Sequence, residues 1–300
     1  MIILMAVIPA IAWGSIGLIS GKLGGTANQQ TVGMTWGALI FGIAVYGIYQ
    51  PEMSGKAWII GIISGLFWSL GQNQQFHAMK AIGISKTVPV STGLQLAGNA
   101  LAGVILFGEW KTTRMVVIGT IAMIVIIAGA ALTSLKDKKN SALSDSDKDE
   151  NTAAGVRAII LSTIGYVGYT IVVHYATVGM TTEESRAFTT ATILPQAVGM
   201  VIGAGFVALI AHEVIMNSST FKNILTGLIW GTGNIFMFLS IPKLGQAVSF
   251  SFSQMGIVIS TFGSIYLLGE KKTNREMVYV TLGSIFVILG VIMLGIMKTL

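Results

Sequence analysis

Neutral polar side chains at helical spacing are the residues of this chain whose types could do chemistry. Trp68, Gln72 and Gln75 recur at intervals of four and three residues, so a helix would carry them on one face. An amide offers a hydrogen-bond donor and an acceptor, as a hydroxyl does, and a flat indole packs against an apolar C–H face. The pattern favours a neutral ligand rich in hydroxyl groups, such as a monosaccharide.

Further polar residues extend this pattern into the rest of the chain. Trp230 and Asn234 repeat the spacing of Trp68 and Gln72. The remaining candidates are Ser91, Gln95 and Asn99 on one stripe, and Ser253 and Gln254 further on. Singly, such amides are more typical of structural hydrogen bonds between helices, worth about 0.6 to 2 kcal/mol each. Because they concentrate on a few helices and recur in both halves, we expect the set as a whole to bind ligand.

Acidic residues avoid the apolar segments of the chain. All twelve lie in predicted loops or at predicted helix ends. A carrier of lipophilic cations would be expected to bury a carboxylate as counter-charge, so this distribution argues against such an exporter. Lys80, Lys86 and Lys243 at helix ends could touch an anion, but lysines there usually extend toward the lipid headgroups. A phosphorylated ligand is therefore disfavoured.

Four ionisable residues are candidates for proton coupling or gating. His77 and His174 lie inside apolar segments, and because histidine titrates near neutral pH either could carry a proton; the alternative is an ordinary hydrogen bond. Glu109 and Glu270 occupy corresponding turns and form either weak surface ion pairs with nearby arginines or gate latches on opposite faces. No second ligand stands at a suitable spacing from a histidine, so we expect neither a metal nor another cofactor.

These candidate residues belong to a sequence unit that occurs twice in the chain. The segment 106–114 (LFGEWKTTR) returns as 267–275 (LLGEKKTNR). The similarity extends backward, where the residues at 65, 66, 68, 71, 76, 83 and 91 recur at constant spacing as Gly227, Leu228, Trp230, Gly233, Phe238, Gly245 and Ser253. An internal duplication of this kind is typical of transporters that alternate access by rocking one repeat against the other.

Composition places both repeats in a lipid bilayer. Only 10% of the residues are charged and 53% are hydrophobic, whereas a soluble domain has about 25% charged residues. Backbone groups in lipid must pair internally, and runs of about 20 apolar residues are long enough for spanning helices. The polar stretch 24–30 is expected to be a loop. The predicted spans are 2–21, 31–49, 57–79, 87–108, 115–135, 158–180, 187–211, 223–242, 244–269 and 277–297.

The predicted fold is an all-α membrane protein with ten transmembrane helices. Because a unit of five crossings is followed by its copy, the copy must be upside down, which gives two five-helix inverted-topology repeats. We expect the first repeat at 1–135, a hydrophilic linker at 136–155 and the second repeat at 156–300. Pro89 and Pro195 fall inside predicted spans, where each could serve as a hinge.

Loop charges and termini bear on orientation and compartment. The odd-numbered predicted loops hold twice as many basic residues as the even-numbered loops and the C-terminal tail together, which predicts cytoplasmic odd loops and both termini outside the cell. Their scatter over short loops argues against nucleic-acid binding. The chain has no cysteine and therefore no disulfide, and its apolar N-terminus is interpreted as the first span rather than a removable signal.

Five motifs spread over the whole chain match one known family. They are Trp13-Gly14-Ser15, Gly71-Gln72, the run 88–96 (VPVSTGLQL), the run 194–200 (LPQAVGM) and the run 249–254 (SFSFSQ). In these motifs the chain resembles the bacterial glucose uptake proteins, the glucose/ribose branch of the drug/metabolite transporter superfamily. The resemblance implies ten helices in two inverted halves and import of a monosaccharide, usually described as proton-coupled symport.

Together these observations predict a monosaccharide permease of the cell membrane, with glucose as the first choice of substrate and ribose as the second. We expect the sugar between helices one, three and four and helices six, eight and nine, where Trp13 and Tyr166 join the residues named above. Facilitated diffusion without a proton is an alternative, as is an efflux pump of the same superfamily. An enzyme is not expected, because the chain offers no nucleophile and base pair. The oligomeric state is left open.

Overall fold

The computed structural model describes residues 2–108, 110–133, 135, 137, 151–244 and 252–297, with the backbone alone for 2–6 and 238–244. All regular secondary structure within these ranges is helical. The helices are α1 (Ile2–Leu23), α2 (Ala27–Tyr49), α3 (Gly55–Ile82), α4 (Ile84–Phe107), α5 (Thr113–Thr133), α6 (Thr152–Thr177), α7 (Thr182–Ile210), α8 (Ser218–Lys222), α9 (Ile224–Leu244), α10 (Gly256–Leu267) and α11 (Asn274–Met297).

Several of these helices have the length and composition of membrane spans. In the described part of the chain, six are long and apolar enough to cross a bilayer, namely α2, α4, α5, α6, α7 and α11. Many large apolar side chains on them are exposed, including Ile105 at 74% and Ile124 at 61%. Such a surface is expected in contact with lipid rather than water, so the prediction of an all-helical membrane protein is confirmed at this level.

The second helix begins earlier than the sequence suggested. Residues 27–30, which were predicted as a loop, form the first turn of α2, so that prediction is wrong. The Thr26 hydroxyl accepts from the Gln29 backbone N–H at 3.2 Å, and the Gln29 side chain accepts from the Thr26 N–H at 3.0 Å. This capping box satisfies two backbone donors at the helix start, which explains why a polar stretch can begin a span.

Two other predicted segments agree with the observed helices only in part. Helix α6 begins at Thr152, inside the stretch predicted as a linker, and the Asn151 side chain caps it by accepting from the Ala154 N–H at 3.0 Å. Residues 138–150 lie outside the described residues. The predicted span 244–269 contains α10 at 256–267, which begins after a turn at 254–255, and residues 245–251 lie outside the described residues.

The chain divides into two compact units, and each takes segments from both halves of the sequence. Unit 1 comprises Met1–Lys22, His77–Ile159 and Thr232–Leu300, and unit 2 comprises Leu23–Phe76 and Ile160–Gly231. Neither unit therefore corresponds to a single sequence repeat.

Inside unit 2, glycines let helix backbones touch at two equivalent crossings. A Cβ built on Gly37 of α2 would lie 2.8 Å from the Cα of Gly227 in α9. A Cβ built on Gly65 of α3 would lie 2.9 Å from the carbonyl carbon of Gly199 in α7. The offset of 162 residues that relates Gly65 to Gly227 also places Gly37 opposite Gly199, so the two crossings are equivalent at this offset. Side chains larger than glycine would separate these helices.

Inside unit 1, α5 and α11 pack with the same kind of pairing. A Cβ on Gly129 would lie 2.7 Å from the Gly283 carbonyl oxygen, and one on Gly290 would lie 2.8 Å from the Ala122 carbonyl oxygen. A cluster of Ala122, Ile126, Leu294 and Met297 fills the space between the two helices. Helix α1 meets α10 where a Cβ on Gly14 would lie 2.8 Å from the Gly256 Cα.

Candidate functional site

Three aromatic residues of unit 2 form a contiguous cluster. The Trp68 and Trp230 rings have centroids 5.4 Å apart at an interplanar angle of 61°, and Trp68 meets Tyr166 at 6.5 Å and 86°. Trp68 is only 2% exposed. Tyr166 reaches α3 because α6 and α3 cross closely, where a Cβ on Gly165 would lie 2.6 Å from the Gly71 Cα. The repeat-related indoles of the sequence thus meet each other.

Two amides of α3 converge on the same tyrosine. The Tyr166 hydroxyl lies 2.7 Å from Gln72 Oε1 and 3.2 Å from Gln75 Oε1. A phenolic hydroxyl has one proton to donate, so it can serve only one of these two acceptors at a time. Tyr166 therefore contacts Trp68, Gln72 and Gln75, which confirms that the predicted stripe of α3 presents one common face.

Gln72 carries an unsatisfied donor in this cluster. Its side chain is 3% exposed, and its Nε2 has no hydrogen-bond partner among the described residues. An unpaired buried donor costs about 1–3 kcal/mol, so a native structure needs a reason to keep one. A ligand hydroxyl that accepts from Gln72 Nε2 would remove this cost.

The cluster of Trp68, Gln72, Gln75, Tyr166 and Trp230 is uncharged, and we call it the indole–amide cluster. Its indole and phenol rings can pack on apolar C–H faces, while its amides can exchange hydrogen bonds with hydroxyl groups. A charged ligand would find no counter-charge among these five side chains. In the described part of the chain, no group of three or more His, Asp or Glu residues could hold a metal ion.

The other predicted contact residues lie in unit 1. Trp13 of α1 packs on α9, where a Cβ built on Gly233 would lie 2.8 Å from the indole Cδ1. Ser253 and Gln254 just before α10 are both buried, and Gln254 Nε2 donates to the Ser253 hydroxyl at 3.2 Å. Asn234, which follows Gly233 in α9, is half-buried.

One hydrogen bond joins two of the three residues in the polar stripe of α4. Gln95 Nε2 donates to the Ser91 hydroxyl at 2.9 Å, one turn earlier. Ser91 is fully buried, whereas Gln95 and Asn99 are half-buried. The predicted set therefore falls into two groups. The indole–amide cluster lies in unit 2, and unit 1 holds Trp13, Ser91, Gln95, Asn99, Asn234, Ser253 and Gln254.

The two prolines predicted as hinges are buried, whereas the two histidines predicted for proton coupling are exposed. Pro89 is buried inside α4, and Pro195 is buried inside α7, where it packs against Gly61 of α3. His77 of α3 and His174 of α6 are exposed on the protein surface.

Only one of the two glutamates predicted as latches belongs to the described residues. Glu109 lies outside the described residues. Glu270 is half-buried and contacts the first residues of α4, which the sequence did not predict.

An amide network at the start of α2 was missed by sequence reasoning. Asn73 Nδ2 donates to Asn28 Oδ1 at 2.8 Å, and Asn28 Nδ2 lies 3.4 Å from a Glu213 carboxylate oxygen. Gln29 Nε2 donates to the other Glu213 oxygen at 3.1 Å. Asn73 points away from the stripe of Gln72, so it ties α3 to α2. The polar residues 28–30 were the available signal, but they had been assigned to a loop.

A family model described as sugar transport protein matches residues 4–297 of this chain. The glucose uptake protein GlcU of Bacillus subtilis is 45% identical over 300 residues, which is 99% of each chain. A protein of Lactiplantibacillus plantarum is 59% identical over 296 residues, again 99% of each chain, and its name assigns it provisionally to sugar uptake. These matches confirm the resemblance seen in the five sequence motifs.

A solved structure shares the fold at low sequence identity. That crystal structure matches with a TM-score of 0.56 and 13% identity, covering 97% of this chain and 96% of the other. The likeness concerns the fold alone, whereas the sequence matches identify the family. The chain is a multi-pass membrane protein that belongs to the family of sugar transport proteins.

Proposed function

We propose that this chain is an uptake permease for a glucose-type monosaccharide and that the indole–amide cluster contacts the sugar. The observation that carries the proposal is the buried Gln72 amide, whose Nε2 lacks a partner among the described residues. It lies beside the Trp68 and Trp230 rings, which contact each other edge to face. The name of the Bacillus subtilis relative, glucose uptake protein GlcU, supports glucose as the first substrate to test.

In this proposal each residue of the cluster has a separate part. Gln72 Nε2 donates to a sugar hydroxyl, and Tyr166 and Gln75 exchange further hydrogen bonds with neighbouring hydroxyls. The indole of Trp230, which is half-buried, offers a surface for an apolar C–H face of the sugar. These contacts replace the water that the sugar loses on leaving the aqueous phase. The residues transport the sugar without changing a covalent bond, so no enzymatic activity is proposed.

The transport cycle that we propose is alternating access between two inverted five-helix repeats, with ten spans in all and both termini outside. The equivalent crossings of Gly37 with Gly227 and of Gly65 with Gly199 support an arrangement that follows the sequence repeat. Smooth glycine surfaces also allow helices to slide without large side-chain rearrangement. Proton-coupled symport through a histidine or a glutamate is the finer proposal, and facilitated diffusion is its alternative.

Purified protein in liposomes tests the substrate assignment directly. We expect counterflow of labelled glucose, with Gln72→Ala raising the KM at least about tenfold, because a buried hydrogen bond to a ligand contributes about 1.4 kcal/mol or more. Gln74→Ala is the matched control, since Gln74 lies on the same helix but bonds to Asn73 instead. Equal kinetics of the two variants would place the sugar elsewhere.

The same liposomes separate the alternative substrates. Excess unlabelled glucose should compete with labelled glucose more effectively than ribose does. If ribose competes better, the ribose-type assignment replaces the glucose-type one. Export of a lipophilic cation in the absence of any sugar flux would contradict the permease proposal and favour an efflux pump.

A further inference from the structure

The N-terminus of α4 has no cap of its own. Its N-cap residue is Gly83, which has a φ of +84° and no side chain to accept a hydrogen bond. The first backbone N–H groups of any α-helix lack partners within the helix and need an outside acceptor when they are buried. Both Ile84 and Ser85 are buried at this position.

A glutamate from a distant turn supplies the missing acceptor. The Ile84 N–H donates to one carboxylate oxygen of Glu270 at 2.6 Å. The Ser85 N–H and hydroxyl donate to the other oxygen at 3.2 and 2.5 Å. A carboxylate suits this place, because the helix N-terminus carries partial positive charge and charge-assisted hydrogen bonds are strong.

Local structure on both sides of this contact favours it: Glu270 is held in position, and Gly83 leaves space for the carboxylate. Glu270 is held near the end of α10 by its own N–H, which donates to the Ser264 carbonyl at 3.2 Å. On the other side, a Cβ on Gly83 would lie 3.1 Å from both carboxylate oxygens, so only glycine leaves the carboxylate full room. The contact joins the turn between α10 and α11 to the start of α4, all within unit 1.

A second glutamate, in the first turn of α11, shows the more usual arrangement, in which a glutamate helps to cap its own helix. Glu276 accepts from the Thr273 N–H at 3.0 Å, while the Thr273 hydroxyl accepts from the Glu276 N–H at 3.2 Å. Glu276 thus helps to cap its own helix, α11, and its other oxygen accepts from the Asp137 N–H at 3.3 Å. Glu270 instead caps a helix that lies far away in the sequence. Its hydrogen bonds form only when the turn and α4 are next to each other.

We propose that Glu270 is a latch: its carboxylate holds the turn between α10 and α11 on the N-terminus of α4 in one conformation and releases it in another. Because α4 carries Ser91 and Gln95, Glu270 is a positioning residue that acts on transport through this helix. The inference rests on the proposed alternating access, in which contacts at one end of the helices must open during each cycle.

Labelling of single cysteines tests the latch without measuring sugar transport. The natural chain has no cysteine, so one introduced thiol reports alone. Leu268→Cys places it at a half-buried position at the end of α10, and Tyr266→Cys places it nearby at a position that is 73% exposed. Both are labelled in membranes with a maleimide, in backgrounds carrying Glu270→Gln or, as the matched control, Glu276→Gln.

The latch predicts a selective change in labelling rate. In the Glu270→Gln background, Leu268→Cys should react at least about fivefold faster than in the unaltered background, since the charge at the helix terminus is lost. The Glu276→Gln background should leave that rate unchanged, and Tyr266→Cys should react equally in all three. Equal rates for Leu268→Cys in all three backgrounds would overturn the proposal.

A variant on the opposite side of the contact keeps the latch testable if Glu270→Gln does not fold. Gly83→Ala leaves Glu270 in place but crowds its carboxylate, so it should speed the labelling of Leu268→Cys in the same direction. If Gly83→Ala folds and leaves that rate unchanged, the latch is refuted even if Glu270→Gln does not express. A protein with the predicted labelling changes but without sugar counterflow would keep the latch and refute the proposed function instead.

Discussion

At the scale of single residues, the sequence predicted the polar face of α3 but not the hydrogen bonds that its residues form. The spacing of Trp68, Gln72 and Gln75 follows from helix geometry alone, and the structure confirms it through their common contact with Tyr166. The role of Asn73 could not be read in the same way. It lies between two glutamines of the same chemical type, and only packing decides that Asn73 turns toward Asn28.

The Tyr166 hydroxyl offers a direct test of the indole–amide cluster. Tyr166→Phe keeps the ring against Trp68 but removes the donor to Gln72, which leaves a buried acceptor unpaired. We expect the KM for glucose to rise roughly fivefold to tenfold, as the loss of about 1–1.4 kcal/mol implies. Tyr169→Phe is the control on the same helix. Uptake kinetics that are equally altered in both variants would argue for a general packing effect.

Gln95 tests the other polar stripe. If this side chain contacts the sugar, Gln95→Ala should weaken uptake at least about tenfold with normal expression. Because Gln95 donates to Ser91, the variant Ser91→Ala breaks the same internal bond while keeping the amide. Contact of the sugar with Gln95 but not with Ser91 predicts a much smaller effect of Ser91→Ala on uptake. Equal losses in both would assign Gln95 to helix structure, and normal uptake in Gln95→Ala would remove it from the site.

At the scale of helices, apolar runs located the elements, whereas local capping determined their ends. The sequence run that was predicted to start at 31 is a helix from Ala27, because Thr26 and Gln29 cap each other. Neither residue is apolar, so a search for uncharged hydrophobic runs could not find this boundary. The close helix crossings could not be predicted from the sequence either. Many glycines share a four-residue spacing, and only the structure distinguishes those that touch another backbone from those that face open space.

The crossing of α3 and α6 should be sensitive to the smallest added side chain. Gly165→Ala would place its Cβ 2.6 Å from the Gly71 Cα and displace Tyr166 from the amides of α3. We expect a loss of roughly 1–3 kcal/mol in stability, as for other overpacked sites, and a lower Tm in detergent. Gly205→Ala in α7 is the control, since a Cβ there meets nothing within 4 Å. A Tm for Gly165→Ala as high as that of Gly205→Ala would contradict this description of the crossing.

At the scale of the whole molecule, the sequence shows an internal repeat, but it does not show which equivalent residues meet or how the chain divides into compact units. Trp68 and Trp230, which are equivalent in the repeat, contact each other in unit 2. Each unit nevertheless combines segments from both halves. Helices that are apolar all around do not reveal in the sequence which side faces lipid and which faces a neighbour, so their partners had to come from the structure.

Proton coupling is a property of the whole transporter, and a pH gradient tests it. If the proposed symport operates, liposomes with an acidic exterior should accumulate glucose above its external concentration, because protons moving inward drive the sugar with them. A protonophore should abolish accumulation but not counterflow. His77→Gln and His174→Gln should each be compared with His212→Gln, whose histidine lies in a loop after α7. If His77 carries the proton, its variant alone loses accumulation while its counterflow persists. Equal final glucose concentrations inside and outside the unaltered protein's liposomes would instead establish facilitated diffusion, in which no residue of the chain needs to titrate.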